Sequence, residues 1–85
     1  MMDMGFMPQI RQILEKIPEL NQLDCDECQI IEEIPKELIN LQVLGCSNTN
    51  IEEIPKELIN LTYLDCSNTN IKAIPKELIN LTNLY

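Results

Sequence analysis

The residues best suited to chemistry are the four cysteines, two of which form the motif Cys25-Asp26-Glu27-Cys28. A CxxC pair can supply thiolates to zinc or to a thioredoxin-like redox centre. A zinc site usually needs a second such pair or histidines, and the chain contains no histidine. A redox motif needs a strand that leads into a helix, which this stretch does not offer. We interpret the cysteines as small core side chains, with a Cys-based metal or redox site as the alternative.

Other signatures of catalysis are also missing from the sequence. Without histidine there is no His-based triad and no imidazole general base. The only glycines are Gly5 and Gly45, which rules out a GxGxxG or Walker phosphate-binding loop. We therefore expect a non-enzymatic protein with no catalytic residues, no metal and no cofactor.

The charge balance limits the classes of partner. A formal net charge of −8 argues against nucleic acid and anionic membrane surfaces, since both require clustered Lys and Arg. The pairs Glu32-Glu33 and Glu52-Glu53 are interpreted as part of a solvated face. No stretch approaches the roughly 20 apolar residues of a membrane span, and residues 1–8 lack the basic start of a signal peptide. We expect a cytoplasmic location, where thiols stay reduced.

An internal repeat dominates the chain. The segment IPKELINL at 34–41 recurs at 54–61 and 74–81, which gives a period of 20 residues. Leu44 and Cys46, two residues apart, point to the same side of a strand, whereas Val43, Gly45 and Ser47 are expected to face solvent. One short strand cannot bury its apolar side alone, so the copies must stack in parallel. The predicted inward ladders are Leu41/Leu61/Leu81, Leu44/Leu64/Leu84, Cys25/Cys46/Cys66, Ile51/Ile71 and Ile34/Ile54/Ile74.

The spacing resembles the leucine-rich-repeat frame LxxLxLxxNxL. Copies begin at Leu41 and Leu61, a fourth begins at Leu81, and an earlier one begins at Leu20. The earlier copy is one residue longer, and either Ile30 or Ile31 takes its last apolar position. The usual Asn position of the frame is held by Thr49, Thr69 and Cys28, so neighbouring asparagines are expected to share its hydrogen-bonding role.

The predicted fold class is an α/β solenoid of leucine-rich repeats. It has a short parallel β-sheet on the concave side and short 3₁₀ or helical turns on the convex side. Residues 1–19 form an amphipathic capping helix, and residues 20–85 form about three and a half repeats. The helix prediction rests on an apolar stripe that ends at Pro18, and docking on a partner is its alternative role. The stripe consists of Ile10, Ile13, Leu14 and Ile17. The orientation of Ile39, Ile59 and Ile79 is open, and we favour inward.

The sequence pattern LxxLxCSNTNIxxIP, at 41–55 and 61–75, resembles the repeats of leucine-rich-repeat proteins from giant DNA viruses that infect amoebae. This resemblance implies a curved solenoid that binds proteins on its concave sheet, with no cofactor and no catalytic residues. It also implies a host cytoplasm or virion location. The chain departs from the family pattern in being much shorter.

The concave face carries the predicted protein-binding site. Tyr63 is the best anchor because interface hot spots favour Tyr, and Asp24 and Asp65 can accept a basic group. The alternative is an ordinary hydrated sheet face. The predicted binding residues are Gln42, Val43, Thr62, Tyr63, Asp65, Asn83 and Tyr85.

The last predicted strand carries no cap and exposes its backbone edge, which favours self-association as a homodimer. The alternative is that the chain is a piece of a longer protein. Four strands give a concave patch of roughly 300 Å², well below the about 800 Å² that each partner usually contributes to a stable interface. Joining two sheets would double the patch. A purely structural repeat protein is the second function class. The predicted self-association residues are Leu81, Thr82, Asn83, Leu84 and Tyr85.

Overall fold

The computed structural model describes residues 12–85, in which four short strands form one parallel sheet. Strand order in the sheet follows the chain, β1-β2-β3-β4, so each strand pairs with the strand of the next repeat. This arrangement confirms the predicted parallel sheet. The strands are β1 (Gln22–Asp24), β2 (Val43–Gly45), β3 (Tyr63–Asp65) and β4 (Asn83–Leu84).

The strand register follows the leucine spacing of the repeat. Leu23 pairs with Leu44, Leu44 with Leu64, and Leu64 with Leu84. Because side chains alternate across a strand, this register sends all four leucines to the same side of the sheet. A slip of one residue would turn them to solvent, so burial of the leucines sets the register.

The core lies between the sheet and the return segments 34–41, 54–61 and 74–81. The predicted ladders are confirmed, and they are most completely buried in the central repeats. Leu44 and Leu64 are fully buried, whereas Leu84, at the edge of the sheet, is 51% exposed. A ladder residue is covered fully only when it has a repeat on either side. The buried apolar residues are Ile31, Ile34, Leu38, Leu41, Leu44, Cys46, Ile51, Ile54, Leu58, Leu61, Leu64 and Leu78.

Each of the three-residue strands β1, β2 and β3 is followed by a residue whose backbone is in the left-handed conformation. This conformation turns the chain away from the sheet. The residues are Glu27, Asn48 and Asn68, with φ of 64°, 56° and 54°. Asn adopts this region more readily than most residues, because its short polar side chain bonds locally.

A threonine closes the loop that follows the turns at Asn48 and Asn68. The Thr49 hydroxyl donates to the carbonyl of Cys46 at 2.7 Å and accepts the N–H of Ile51 at 3.5 Å. Thr69 repeats both bonds with Cys66 and Ile71. Threonine therefore takes over part of the role that the repeat frame gives to asparagine.

The return segments consist of tight turns. In the first of them, Leu38 donates its N–H to the carbonyl of Pro35 at 3.3 Å, and Leu41 donates to Leu38 at 3.1 Å. The second segment repeats both bonds, from Leu58 to Pro55 and from Leu61 to Leu58, and the third repeats the first of them, from Leu78 to Pro75 at 3.1 Å. These bonds join residues three apart, but they occur as separate turns, so the predicted 3₁₀ or helical turns are not confirmed.

The inward orientation favoured for the isoleucines of the return segments is wrong. Ile39, Ile59 and Ile79 are 50%, 49% and 83% exposed. Each follows a leucine that already fills the core, and the tight turn directs the next side chain outward. Together the three residues form an apolar row on the outside of the return segments.

Asparagine amides tie each return segment to the one before it. Asn60 donates its side-chain N–H to the carbonyl of Ile39 at 2.8 Å, and Asn80 donates to Ile59 at 2.9 Å. Asn40 makes the corresponding bond to Pro18 at 3.0 Å. The segment around Pro18 therefore occupies the place of a preceding return segment.

The extra residue of the first repeat lies between Cys28 and Ile31. Ile31 is buried at 3% exposure and takes the ladder position, whereas Ile30 is 43% exposed. Gln29 donates its side-chain amide to the carbonyl of Asn48 at 3.0 Å, which holds the longer loop against the next repeat. This burial settles the choice between the two isoleucines.

Only part of the predicted capping helix falls within the described residues. Residues 12–14 are helical, and Leu14 packs against the core. Ile13 of the same stripe is 59% exposed. Ile10 and the rest of 1–11 lie outside the described residues, so the helical cap and its boundary at residue 19 remain predictions.

A buried charge in a ladder should unfold the chain. We expect Leu64→Asp to abolish the cooperative thermal transition, because Leu64 is fully buried and an unpaired buried charge costs several kcal/mol against a total stability of about 5–15 kcal/mol. The matched control is Ile59→Asp, since Ile59 is 49% exposed and should tolerate the charge. Circular dichroism melting of both variants checks this, and a native melt for Leu64→Asp would contradict the register.

Candidate functional site

The predicted binding residues lie together on the outer face of the sheet. We call this surface the sheet face and define it by the outward residues of β1 to β4 and the positions that flank them. Tyr63 lies between Val43 and Asn83 in the register, and Gly45 lies between Asp24 and Asp65. All seven predicted residues are at least partly accessible.

The polar residues at the start of the strands contact the neighbouring repeat. The Thr62 hydroxyl donates to the carbonyl of Gln42 at 3.2 Å, and the Thr82 hydroxyl donates to the carbonyl of Thr62 at 3.1 Å. These bonds reinforce the sheet, so Gln42 and Thr62 act partly as structural residues. Both residues nevertheless remain exposed on the sheet face, beside the tyrosines and the aspartates.

Two tyrosines form an aromatic pair. The ring centroids of Tyr63 and Tyr85 are 5.5 Å apart, with an interplanar angle of 49°. Tyr85 is 59% exposed and Tyr63 is partly buried. Desolvation, followed by the nearby carboxylate of Asp65, raises the pKa of Tyr63 above its ordinary value of 10.0. Such a pair offers a partner a large rigid contact.

Three aspartates surround Gly45 at the centre of the sheet face. Asp24 and Asp65 each accept, at 3.2 Å, the backbone N–H two residues further on. Gly45 has no side chain for this role, and Asp26 of the preceding repeat accepts the Ser47 N–H instead, at 2.8 Å. A Cβ on Gly45 would lie 3.1 and 3.2 Å from the two oxygens of Asp26 and 3.4 Å from Asp24 Oδ1.

This arrangement corrects the expectation that Gly45 and Ser47 face solvent. Both residues are buried, with Ser47 only 8% exposed, because the Asp26 side chain lies across them. Val43 is intermediate in exposure. Asp26 itself was absent from the predicted site. The sequence feature that indicates its position is Gly45, which lies between Asp24 and Asp65 in the strand register. This glycine leaves room for a side chain from a neighbouring repeat.

The cysteine ladder lies on the inner side of the sheet, as predicted. Cys46 is buried, and Cys25 and Cys66 are partly buried. Burial, followed by the charge of Cys28, raises the pKa of Cys25 to about 12, and burial, followed by the charge of Cys25, does the same for Cys46. Burial also raises the pKa of Cys66. Since the thiolate is the nucleophile and the metal ligand, these thiols are poorly suited to either role.

Within residues 12–85, no group of three or more Cys, Asp or Glu side chains has the arrangement of a metal site. The four cysteines are free thiols. The pairs Glu32-Glu33 and Glu52-Glu53 are exposed along a groove away from the sheet face, as expected for a solvated surface. The same described part of the chain contains no helix long and apolar enough to cross a membrane.

Residues 39–74 match the family model described as leucine rich repeats (2 copies). The match supports a leucine-rich-repeat protein, and with the four-stranded parallel sheet it supports a leucine-rich-repeat, solenoid-like fold. Proteins of this family generally mediate protein–protein interaction and are typically not enzymes. No curated protein matches the chain. The resemblance to giant-virus repeats therefore remains an expectation.

The raised thiol pKa values predict a loss of stability at high pH. A thiol with an ordinary pKa of 9.0 that is raised to about 12 by folding favours the native state below pH 9, and this contribution disappears as the pH rises from 9 to 12. We expect the free energy of unfolding, measured with urea, to fall between pH 9 and 11. The fall should be smaller for Cys25→Ala, measured as a slope against pH. An equal slope in the variant would contradict this origin.

Proposed function

We propose that the chain is a non-enzymatic protein-interaction module that binds a partner through the sheet face and self-associates through the edge of β4. The observation that carries the proposal is the position of the half-exposed Leu84 and Tyr85. Leu84 lies on β4 and Tyr85 directly follows it, where the leucine ladder and the Tyr63–Tyr85 pair reach the edge of the sheet. Proteins of the matched family generally mediate protein–protein interaction.

The hydrogen bonds of β4 support pairing at its outer side. The N–H groups of Thr82 and Asn83 bond to the carbonyl of Thr62, and that of Tyr85 bonds to Leu64. In the preceding repeat, the Thr62 carbonyl accepts the hydrogen bonds that join β4 to β3. By the same geometry, the Thr82 carbonyl points to the edge of β4 that faces away from β3, where it can accept a hydrogen bond from another strand.

The size of the sheet face also favours assembly. The complete strands are three residues long, so the sheet covers only roughly 200 Å² at usual strand dimensions. A stable interface takes about 800 Å² from each partner. A two-fold axis perpendicular to the sheet would join two β4 strands in antiparallel fashion and place both sheet faces on the same side. A partner would then contact one doubled surface.

Two other function classes are less well supported. A purely structural repeat protein would leave the sheet face hydrated, and this class gives no account of the Tyr63–Tyr85 pair. A Cys-based metal or redox centre requires reactive thiolates, and the raised pKa values of Cys25 and Cys46 weigh against it. The free cysteines support a reducing, cytoplasmic location as part of the proposal, in a host cell or virion if the chain is viral.

The mass in solution tests self-association. We expect light scattering behind size exclusion to give about twice the 9.8 kDa chain mass, because two apolar strand edges become covered in the dimer. Leu84→Asp should return the mass to that of one chain, since a charge at the paired edge must be desolvated. Circular dichroism should show that the variant remains folded.

The matched control for this experiment is Ile79→Asp. Ile79 is 83% exposed and lies on the return segments rather than at the β4 edge. This variant introduces the same charge and should remain dimeric. A monomeric wild-type chain at high micromolar concentration, or equal dissociation of both variants, would overturn the proposal for β4.

A further inference from the structure

We infer that the sheet face binds a basic peptide segment, with an arginine or lysine side chain seated among Asp24, Asp26 and Asp65 beside Tyr63. This inference rests on the proposed role of the sheet face as an interaction surface, and it names the chemistry of the partner. The carrying observation is the combination of three carboxylates around one glycine with an adjacent aromatic pair.

The ionisable side chains of the sheet face carry only one sign of charge. Segments 21–26, 42–47, 62–67 and 82–85 form the sheet and its immediate flanks, and they contain no Lys or Arg. The acidic side chains in these segments are Asp24, Asp26 and Asp65. The lysines of the repeats, at 36, 56, 72 and 76, lie on the segments outside the sheet. The face is therefore complementary to a cationic partner.

The internal hydrogen bonds of the aspartates leave acceptor capacity for a ligand. Asp24 and Asp26 each accept one backbone N–H through Oδ1, and Asp65 accepts both the N–H and the hydroxyl of Ser67 through Oδ1. The carboxylates are thus held in place while their Oδ2 atoms can accept further bonds. A fixed carboxylate loses little entropy when it pairs with a guanidinium.

Gly45 sets the spacing of the carboxylates. It separates Asp24 and Asp65 in the register, and the Asp26 carboxylate lies over it. The described residues do not converge closely enough to form a metal site. A planar guanidinium or a lysine ammonium on its flexible stem can reach carboxylates on neighbouring strands, whereas a single metal ion needs its ligands around one point.

The tyrosine pair adds a second contact for the same group. Tyr63 and Asp65 are two residues apart on one strand and lie on the same face. A cation paired with Asp65 therefore lies near the Tyr63 ring, where cation–π attraction favours it. The exposed Tyr85 extends the aromatic contact toward the β4 edge. A peptide of about six extended residues would cross the four strands.

Fluorescence anisotropy with three labelled eight-residue peptides tests the inference on the full chain. The peptides are Arg-Ser, Gln-Ser and Glu-Ser alternating repeats of equal length. We expect only the Arg-Ser peptide to bind, with an affinity that falls as salt is raised, because partly exposed charge pairs are screened. Asp65→Asn and Asp24→Asn should each weaken binding about three-fold, and Tyr63→Ala about three- to five-fold.

The matched control separates this site from general attraction by a chain of net charge −8. The Glu52→Gln/Glu53→Gln double variant removes two negative charges from the exposed groove away from the sheet face. It should bind the Arg-Ser peptide as the wild type does. A loss as large as that of Asp65→Asn would overturn the inference.

The remaining outcomes distinguish this inference from the proposed function. Equal binding of the Gln-Ser and Arg-Ser peptides, with loss in Tyr63→Ala, would overturn the basic partner but retain the sheet face as an interface. Failure of all three peptides to bind would overturn the inference for the sheet face, and the solution mass would still decide the role of β4. Variants are compared only where circular dichroism shows native folding.

Discussion

Contact between the leucines of adjacent repeats is the interaction on which the rest of the structure depends. Leu44 of β2 packs between Leu23 and Leu64 in the register, and it is completely removed from solvent only because a repeat lies on each side. A single copy offers a strand of three residues and a pair of tight turns. Such a copy cannot bury its own apolar side or satisfy its own backbone, so its structure comes from its neighbours.

The polar contacts follow the same rule. Asn60 bonds to Ile39 one repeat earlier, and Asp26 bonds to Ser47 one repeat later. The second case shows how a neighbour compensates for a missing side chain, since the glycine at position 45 cannot accept the bond that its counterparts Asp24 and Asp65 accept. The sheet face is thus a product of stacking, and its cluster of Asp24, Asp26 and Asp65 around Gly45 exists only because three repeats combine there.

Much of this architecture could be predicted from the sequence, because burial and periodicity determine it. The 20-residue period and the leucine spacing were enough to predict the register of all four strands. The direction of Ile39 could not be obtained this way, since a leucine and an isoleucine one residue apart give the same apolar signal. Only the turn geometry separates them. Asp26 could not be singled out either, because the repeat spacing places it beside Ser47 without showing that its carboxylate lies over Gly45 and accepts the Ser47 N–H.

The sideways stacking of the strands also determines how the chain responds to mechanical force. Tension applied along the solenoid axis pulls β4 away from β3 across their hydrogen bonds, so the bonds break a strand at a time rather than all together. Each released repeat of 20 residues can extend by roughly 60 Å, whereas stacked strands are only about 5 Å apart. Under load, the fold can therefore lengthen in steps, each of which corresponds to the unfolding of one repeat.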